Sequence, residues 1–476
     1  MIGKLAWRSF SFAYGVMNLA VMVAIAGLRD GAFTKRISEE ERKELAIAQK
    51  KYWDLSSEPI PGFRHAFLML KSGVKLHYVV NGPVGGAKGT NVAVFIHGFP
   101  DSFALWRALL SSPALQNHIL VAVDLPGYGG SDSLQKYDAE TILEAMAGFL
   151  LGMRELYLTD GGKMAVVTHD WGGIVGARLA AEAPQLADRW VIASSVLPQQ
   201  TYSNILITIA SARQMLHTWF RWPFNPRLLK TAFATLQPVL LQTACSFYVF
   251  ILNLPGPIAN AFARMGNFWF LRLLHWVQAG VLTADSKFHR ALSTQEAADW
   301  MAMSTGPGPG QFPTSKLSLT NSDKPQQTYP QSVYTRIPDL GMSQKIRFYR
   351  ENLILAPWEK SLETVVALSE LDGMHPRRSS TGAGLFEDGP QGSLKAPATI
   401  VYGKQDPAFS PRLALDGIAD YLVRGSKVVL IEKGGHWLPF EELGARVLER
   451  IVEWEFESLE GDMLGGLEEV KVMVEK

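Results

Sequence analysis

The chain has 476 residues, enough to bury a large core in one domain or several. Hydrophobic residues make up 47% and charged residues 19%, with a formal net charge of +1 and no basic stripe, so a nucleic-acid partner is not expected. One cysteine, Cys245, excludes an internal disulfide and a cysteine-rich zinc site, and none of the ten histidines has ligand spacing, so no metal is expected.

Residues 9 to 28 carry no charge, and twenty helical residues span about 30 Å, the thickness of a bilayer core. Lys4 and Arg8 precede this stretch, and Arg29, Lys35 and Arg36 follow it. A single membrane-spanning anchor is the expectation, with the endoplasmic reticulum as its membrane. The rivals are a cleaved signal peptide, since Ala24-Ile25-Ala26 precedes Gly27, and a buried or interfacial helix. The flanking charges are nearly even and leave orientation open.

Ser38-Glu39-Glu40-Glu41 reads as a capping box opening a charged helix to about Trp53, and Pro59 to Gly62 as a hinge. Ala66 to Leu70 and Val74 to Val80 predict a hairpin turning at Ser72-Gly73. Val92 to Ile96, Ile119 to Val123, Met164 to Val167 and Val191 to Ala193 are short apolar strands between helical stretches. Thr399 to Tyr402 and Lys427 to Ile431 complete the set, with a last helix from about Phe440 to Leu459. This alternation predicts an α/β protein with a mostly parallel sheet covered on both faces.

Between the strands lies a long interruption, 196–395, helical and aromatic in its first half. It reads as a helical cap inserted into one sheet and covering the carboxyl ends of the strands, where open α/β sheets bind ligands. The expected organisation is an anchor and linker at 1–37, the sheet's first part at 38–195, the cap, and the sheet's second part at 396–476. Gly306 to Gly341 and Arg377 to Gly392 read as surface linkers, and Gly306-Pro307-Gly308-Pro309-Gly310 has no strand-to-helix context for a phosphate loop. The apolar stretch Leu236 to Leu254 reads as a cap helix that lines a pocket or dips into an interface, and Cys245 as a buried thiol.

His169-Asp170-Trp171-Gly172-Gly173 carries the most chemical information. It joins a buried strand to an Ala-rich helix through a turn so tight that small residues must surround its apex, the layout of a nucleophile elbow. The apex residue is Asp170, a carboxylate nucleophile, which points to alkylation at an sp3 carbon. His97-Gly98-Phe99-Pro100 follows a strand and can aim the Phe99 N–H at the elbow, with the Trp171 N–H as second oxyanion donor. Asp406 in Tyr402-Gly403-Lys404-Gln405-Asp406-Pro407 and His436 in Gly434-Gly435-His436-Trp437 each follow a strand. The order Asp170, Asp406, His436 matches nucleophile, acid and base.

With Asp124-Leu125-Pro126-Gly127-Tyr128-Gly129-Gly130-Ser131 added, these motifs make the chain resemble an epoxide hydrolase of the α/β-hydrolase superfamily, in its soluble-type branch. The resemblance runs from about residue 60 to 457 and is weak inside the cap insertions. It implies an α/β-hydrolase fold, a cis peptide before Pro100 and no cofactor. Two departures stand out: Pro126 replaces the Arg often found there, and Thr168 replaces the usual Gly.

The resemblance further implies two cap tyrosines. Tyr248 stands seven residues before Pro255-Gly256, the family's spacing for the first, and Phe348-Tyr349-Arg350 resembles the segment carrying the second. Asp170 would open a lipophilic epoxide, such as an epoxy fatty acid, a terpenoid epoxide or an aromatic oxide. Tyr248 and Tyr349 would protonate the alkoxide, and His436, oriented by Asp406, would activate the water that releases a vicinal diol. His97, Pro100, Trp171, Phe247 and Trp437 would line the substrate pocket, while His97 and His169 also read as packing residues in turns. A haloalkane dehalogenase shares the nucleophile and base but does not need the tyrosines. A non-catalytic lipid-binding protein or scaffold on the same fold would be expected to lose a triad member.

Overall fold

The computed structural model describes residues 2–82, 91–280, 291–312, 328–374, 389–457, 463–467 and 469–476. Nine strands form one sheet: β1 (Arg64–Met69), β2 (Lys75–Val80), β3 (Val92–Ile96), β4 (Ile119–Val123), β5 (Met164–His169), β6 (Arg189–Ala193), β7 (Ala398–Gly403), β8 (Lys427–Ile431) and β9 (Val470–Glu475). Their order is β1-β2-β4-β3-β5-β6-β7-β8-β9. From β4 through β8 the pairing is parallel, while β1–β2, β2–β4 and β8–β9 are antiparallel.

The apolar strands are two-sided. Val92, Val94 and Ile96 join one core cluster with Val121 and Val166, while Ala93 and Phe95 join the other with Ala122 and Val167. Helices α3 (Ala139–Tyr157) and α4 (Trp171–Glu182) cover the first face, and a later helix, Glu442–Phe456, covers the second through Val447 and Ile451. The period of two in side-chain direction explains why a run that reads as continuously apolar needs helices on both sides.

Before the sheet come α1 (Ile2–Ala24), extended by a π-helical turn to Arg29, and α2 (Glu39–Trp53). The capping box forms as expected: Glu41 N donates to Ser38 Oγ at 3.0 Å and Ser38 N donates to Glu41 Oε2 at 2.9 Å. The hairpin turns at Gly73, whose φ of +81° suits a residue without Cβ.

Between β6 and β7 the chain forms α5 (Pro198–Arg221), α6 (Pro226–Cys245), α7 (Phe247–Leu252), α8 (Gly256–Gln278), α9 (Thr294–Thr305) and α10 (Leu362–Met374). Helix α8 is interrupted at Met265–Phe268, where the backbone leaves helical geometry. The Leu236–Leu254 stretch is the end of α6 and the whole of α7, broken at Ser246.

Three expectations change. Residues 470–475 form β9, an edge strand with mostly exposed side chains, so its sequence carries no burial pattern to read. Cys245 is exposed at the end of α6, not buried, because that face of the helix is uncovered. The segment 306–341 is not a surface linker where it is described. Gly306 packs on Gly129, Tyr329 donates its hydroxyl to Trp53 O at 2.8 Å, and Arg336 is buried, donating to Ser131 O at 2.7 Å and Tyr128 O at 2.9 Å. Its Pro and Gly content shaped a path over the core, where composition had suggested solvent. Residues 313–327, and 377–388 of the second expected linker, lie outside the described residues.

Candidate active site

Asp170 sits between β5 and α4 with φ 52° and ψ −118°, a strained conformation for a non-glycine residue. Its neighbours leave no room for larger residues. A Cβ on Gly172 would fall 2.4 Å from His97 O, and one on Gly173 would fall 2.4 Å from Ser195 Cβ. Ser195 Oγ donates to Asp170 O at 2.7 Å and fixes the turn. Thr168 is accommodated because its hydroxyl donates to Val191 O at 3.0 Å and because Gly176, on the facing turn of α4, leaves space for its methyl.

The carboxylate is held from both sides. Phe99 N donates to Asp170 Oδ1 at 2.8 Å, and Asp170 Oδ2 lies 3.6 Å from His436 Nε2. A Cβ on Gly98 would lie 2.4 Å from Asp170 Oδ1 and 2.7 Å from Trp171 N, so carboxylate and both amides converge on this one glycine. The Phe99–Pro100 peptide is cis. His436 Nδ1 is 2.8 Å from Asp406 Oδ2, and Asp406 Oδ1 accepts from Ala408 N at 2.7 Å. Burial opposes charge on His436, but Asp406 and Asp170 outweigh it and raise the imidazolium to about 10. Burial likewise opposes charge on Asp170, yet His436 and the Phe99 amide hold it below the usual carboxylate range. The resting pair is therefore carboxylate and imidazolium.

The two tyrosines from the insertion meet above this turn. Tyr248 and Tyr349 have ring centroids 5.7 Å apart. Tyr349 lies edge-to-face on Trp171 at 4.8 Å and on Phe99 at 5.3 Å, the two residues that flank Asp170 in space. Burial, with the nearby Asp170 charge, raises both phenols above their ordinary range, so both stay protonated as donors. Phe247 packs edge-on to Tyr248 at 5.9 Å, and Trp437 packs edge-on to His436 at 4.8 Å.

The two turn histidines are committed to the backbone. His97 Nδ1 donates to Gly98 O at 2.8 Å and its Nε2 accepts from Leu125 N at 3.0 Å; burial lowers it to about 4. His169 Nε2 is 2.8 Å from His436 O and is lowered to about 4, chiefly by burial. His97 thus supports the loop that carries Phe99.

Sequence reasoning missed a supporting layer. Asp101, next after Pro100, accepts from Gln278 Nε2 at 2.8 Å and Trp437 Nε1 at 3.2 Å, and burial raises it to about 7. Lys345, four residues before Tyr349, is fully buried and donates to Pro100 O at 3.2 Å and to Ser304 O, tying the tyrosine's segment to the Phe99–Pro100 loop. Asp124 accepts from Phe103 N and Gly130 N at 2.8 Å each and pairs with His77 Nδ1 at 2.7 Å. The position of Asp101 beside a recognisable motif was a usable signal; Lys345 offered none. A cavity of about 530 Å³, lined by Lys51, Arg107, Gln278, Asp299 and Trp300 among others, does not include Asp170. No group of metal-ligating side chains is found among the described residues.

The sheet order, with β2 antiparallel and the elbow after the central β5, is joined by a sequence match. Residues 91–257 match the family model for the alpha/beta hydrolase fold. The chain has the α/β-hydrolase fold. The chain is similar to "Epoxide hydrolase 3" of Mus musculus, 33% identical over 181 residues, which cover 35% of this chain and 45% of that protein. It is also similar to "Epoxide hydrolase 2" of Caenorhabditis elegans, 26% identical over 175 residues, covering 36% and 45%. The match thus spans less than half the length of these relatives. Among solved structures it is similar to the Bacillus megaterium epoxide hydrolase in complex with an inhibitor, with TM-score 0.46 and 20% identity, covering 82% of this chain and 99% of that one.

Proposed function

We propose that the protein is an epoxide hydrolase acting through a covalent ester on Asp170. The observation that carries this reading is the meeting of Tyr248 and Tyr349 beside Trp171, next to the nucleophile. Two neutral phenols at that place suit a reaction whose leaving group is an alkoxide tethered to the substrate, which must be protonated where it forms. A departing halide makes no such demand.

The steps balance. Asp170 Oδ2 attacks an epoxide carbon, the C–O bond breaks, and the alkoxide takes a proton from a tyrosine. The ester no longer carries the negative charge that helped to keep His436 protonated, so His436 releases its proton and the tyrosinate is restored. Neutral His436, oriented by Asp406, then takes a proton from water as the water attacks Cγ of Asp170. Negative charge develops on Oδ1, which the Phe99 amide already holds, with the Trp171 amide as the second donor. Collapse returns one proton to the departing diol oxygen and one to His436, regenerating carboxylate and imidazolium. No cofactor takes part.

The helix over Leu5–Arg29 is long and apolar enough to cross a membrane, and supports attachment to one, proposed to be the endoplasmic reticulum. Lipophilic epoxides are the substrate class that such an attachment and an aromatic insertion favour. Incubation with a long-chain epoxide in halide-free buffer is expected to yield diol, and Asp170→Asn to abolish it. Halide release from a haloalkane with no epoxide turnover would overturn the reading.

A further inference from the structure

Helix α1 is not surrounded evenly. Residues 11, 14, 15, 18, 19, 22, 25 and 26 are wholly or partly covered, a stripe at helical spacing along most of its length. Tyr14 donates its hydroxyl to Thr243 O of α6 at 3.4 Å, and Phe250 of α7 packs on Trp7, Phe10 and Tyr14. A Cβ on Gly15 would meet Phe250 O at 2.7 Å, so the helix backbones lie against each other there. From Phe12 to Leu28 the exposed face consists of Phe12, Ala13, Val16, Met17, Ala20, Val21, Val23, Ala24 and Leu28, all apolar; Arg8 and Ser9 are exposed near the start of the helix. A helix seated lengthwise on a folded insertion cannot have lipid on every side, as a crossing helix unaccompanied by other spans would.

The surface continues past Thr243 into the α5–α6 hairpin. The base of the hairpin is tied to the sheet domain by Asn204, which donates to Leu413 O at 3.0 Å, and by Gln242, which donates to Ala408 O at 2.8 Å. Beyond that base, from 206 to 238, only Ala212, Ala232 and Pro238 are buried. The tip exposes Phe220 at 74%, Trp222 at 68% and Phe224 at 81%, a cost in water that a lone hairpin has no core to offset. Its charges have one sign. No Asp or Glu occurs between Asp188 and Asp285, and Arg213, Arg221, Arg227 and Lys230 are all exposed on the hairpin.

We propose that the outer face of α1 and the α5–α6 hairpin form one lipid-facing surface lying in a single leaflet, with the basic, aromatic tip at anionic headgroups. Aromatic side chains flanked by Arg suit the boundary between headgroups and acyl chains, and an acid-free surface suits anionic lipid. The inference rests on the membrane attachment through α1 but not on the reaction. It replaces a single crossing with in-plane seating that brings the insertion, and its tyrosines, to the bilayer.

The test uses the full chain with Cys245→Ser and one introduced cysteine: Phe12→Cys on α1, Phe220→Cys at the tip, or Arg446→Cys on the Glu442–Phe456 helix. Each carries an environment-sensitive fluorophore and is mixed with phosphatidylcholine vesicles containing phosphatidylserine and lipids with quenchers at known depths. The expected result is a blue shift and shallow-depth quenching at both 12 and 220, no change at 446, and loss of the shift at 220 with Arg221→Glu/Arg227→Glu. Mid-bilayer quenching at 12 with a water-like signal at 220 would mean a single crossing and overturn the inference, leaving the attachment intact. Water-like signals at both positions would overturn the inference and the attachment together. Concentration-dependent self-quenching at 220 without vesicles would make the face a contact between copies and likewise overturn it.

Discussion

The amide of Phe99 stands 2.8 Å from Oδ1 of Asp170, so the donor proposed to hold the oxyanion already holds the resting carboxylate. In the proposed mechanism the other oxygen, Oδ2, 3.6 Å from His436 Nε2, is the one that attacks. The Phe99 contact depends on Gly98, because any Cβ there would lie 2.4 Å from Oδ1. Gly98→Ala is expected to lower kcat by about 10²–10³-fold, the loss typical of a displaced oxyanion donor, with little change in circular dichroism. Unchanged kcat would mean that the amide does not act in the rate-limiting step.

Tyr248→Phe and Tyr349→Phe each leave one phenol to protonate the alkoxide. Each is expected to slow ring opening by roughly ten-fold, and the double variant by about 10²–10⁴-fold, the range of general acid catalysis. Stopped-flow tryptophan fluorescence of ester formation separates this from hydrolysis. A double variant as fast as the parent would remove the tyrosines from the mechanism.

In the proposed mechanism His436 serves the second half of the reaction and not the first. His436→Gln is expected to accumulate the Asp170 ester, seen as a mass gain equal to one epoxide. The same residue sets a pH dependence of stability. Its folded value is raised from 6.5 to about 10, so its stabilisation is complete below 6.5 and is lost as pH rises through 10. The gap in thermal midpoint between parent and His436→Gln should therefore narrow from pH 7 to pH 10. A gap that widened would contradict the assigned ion pair.

The sheet and the turn were legible because strict physical demands wrote them. Strands covered on both faces must be apolar throughout, which fixed β3, β4 and β8 to the residue. The elbow admits only small neighbours, which marked Asp170. The insertion was less legible because its burial is relational. Gly306 and Arg336 look like linker residues until the backbone of Tyr128 and Gly129 is set against them. Cys245 lies in an apolar run whose outer face the chain leaves uncovered, so composition pointed the wrong way. Lys345 lacks any local signal, since two carbonyls from distant segments make its site.

Arg336 offers a test of that relational packing. It donates to the carbonyls of Tyr128, Gly129 and Ser131, and Arg336→Met would take the Arg donor from all three, leaving Tyr128 O only its bond from Ser131 N. A loss of about 3 kcal/mol is expected from denaturant midpoints, following the usual cost of orphaned buried polar groups. A loss under about 0.5 kcal/mol, the size of an ordinary surface substitution, would place the segment on the surface after all.

The proposed mechanism has Asp170, not water, attack the epoxide. A single turnover with enzyme in excess over a lipophilic epoxide, in 18O-labelled water, tests it most directly. The first diol is expected to be unlabelled, its new oxygen drawn from the Asp170 carboxylate, and a peptide containing Asp170 is expected to gain the label. Labelled diol from the first turnover, with an unlabelled Asp170 peptide, would mean direct attack by water and would contradict the proposed mechanism.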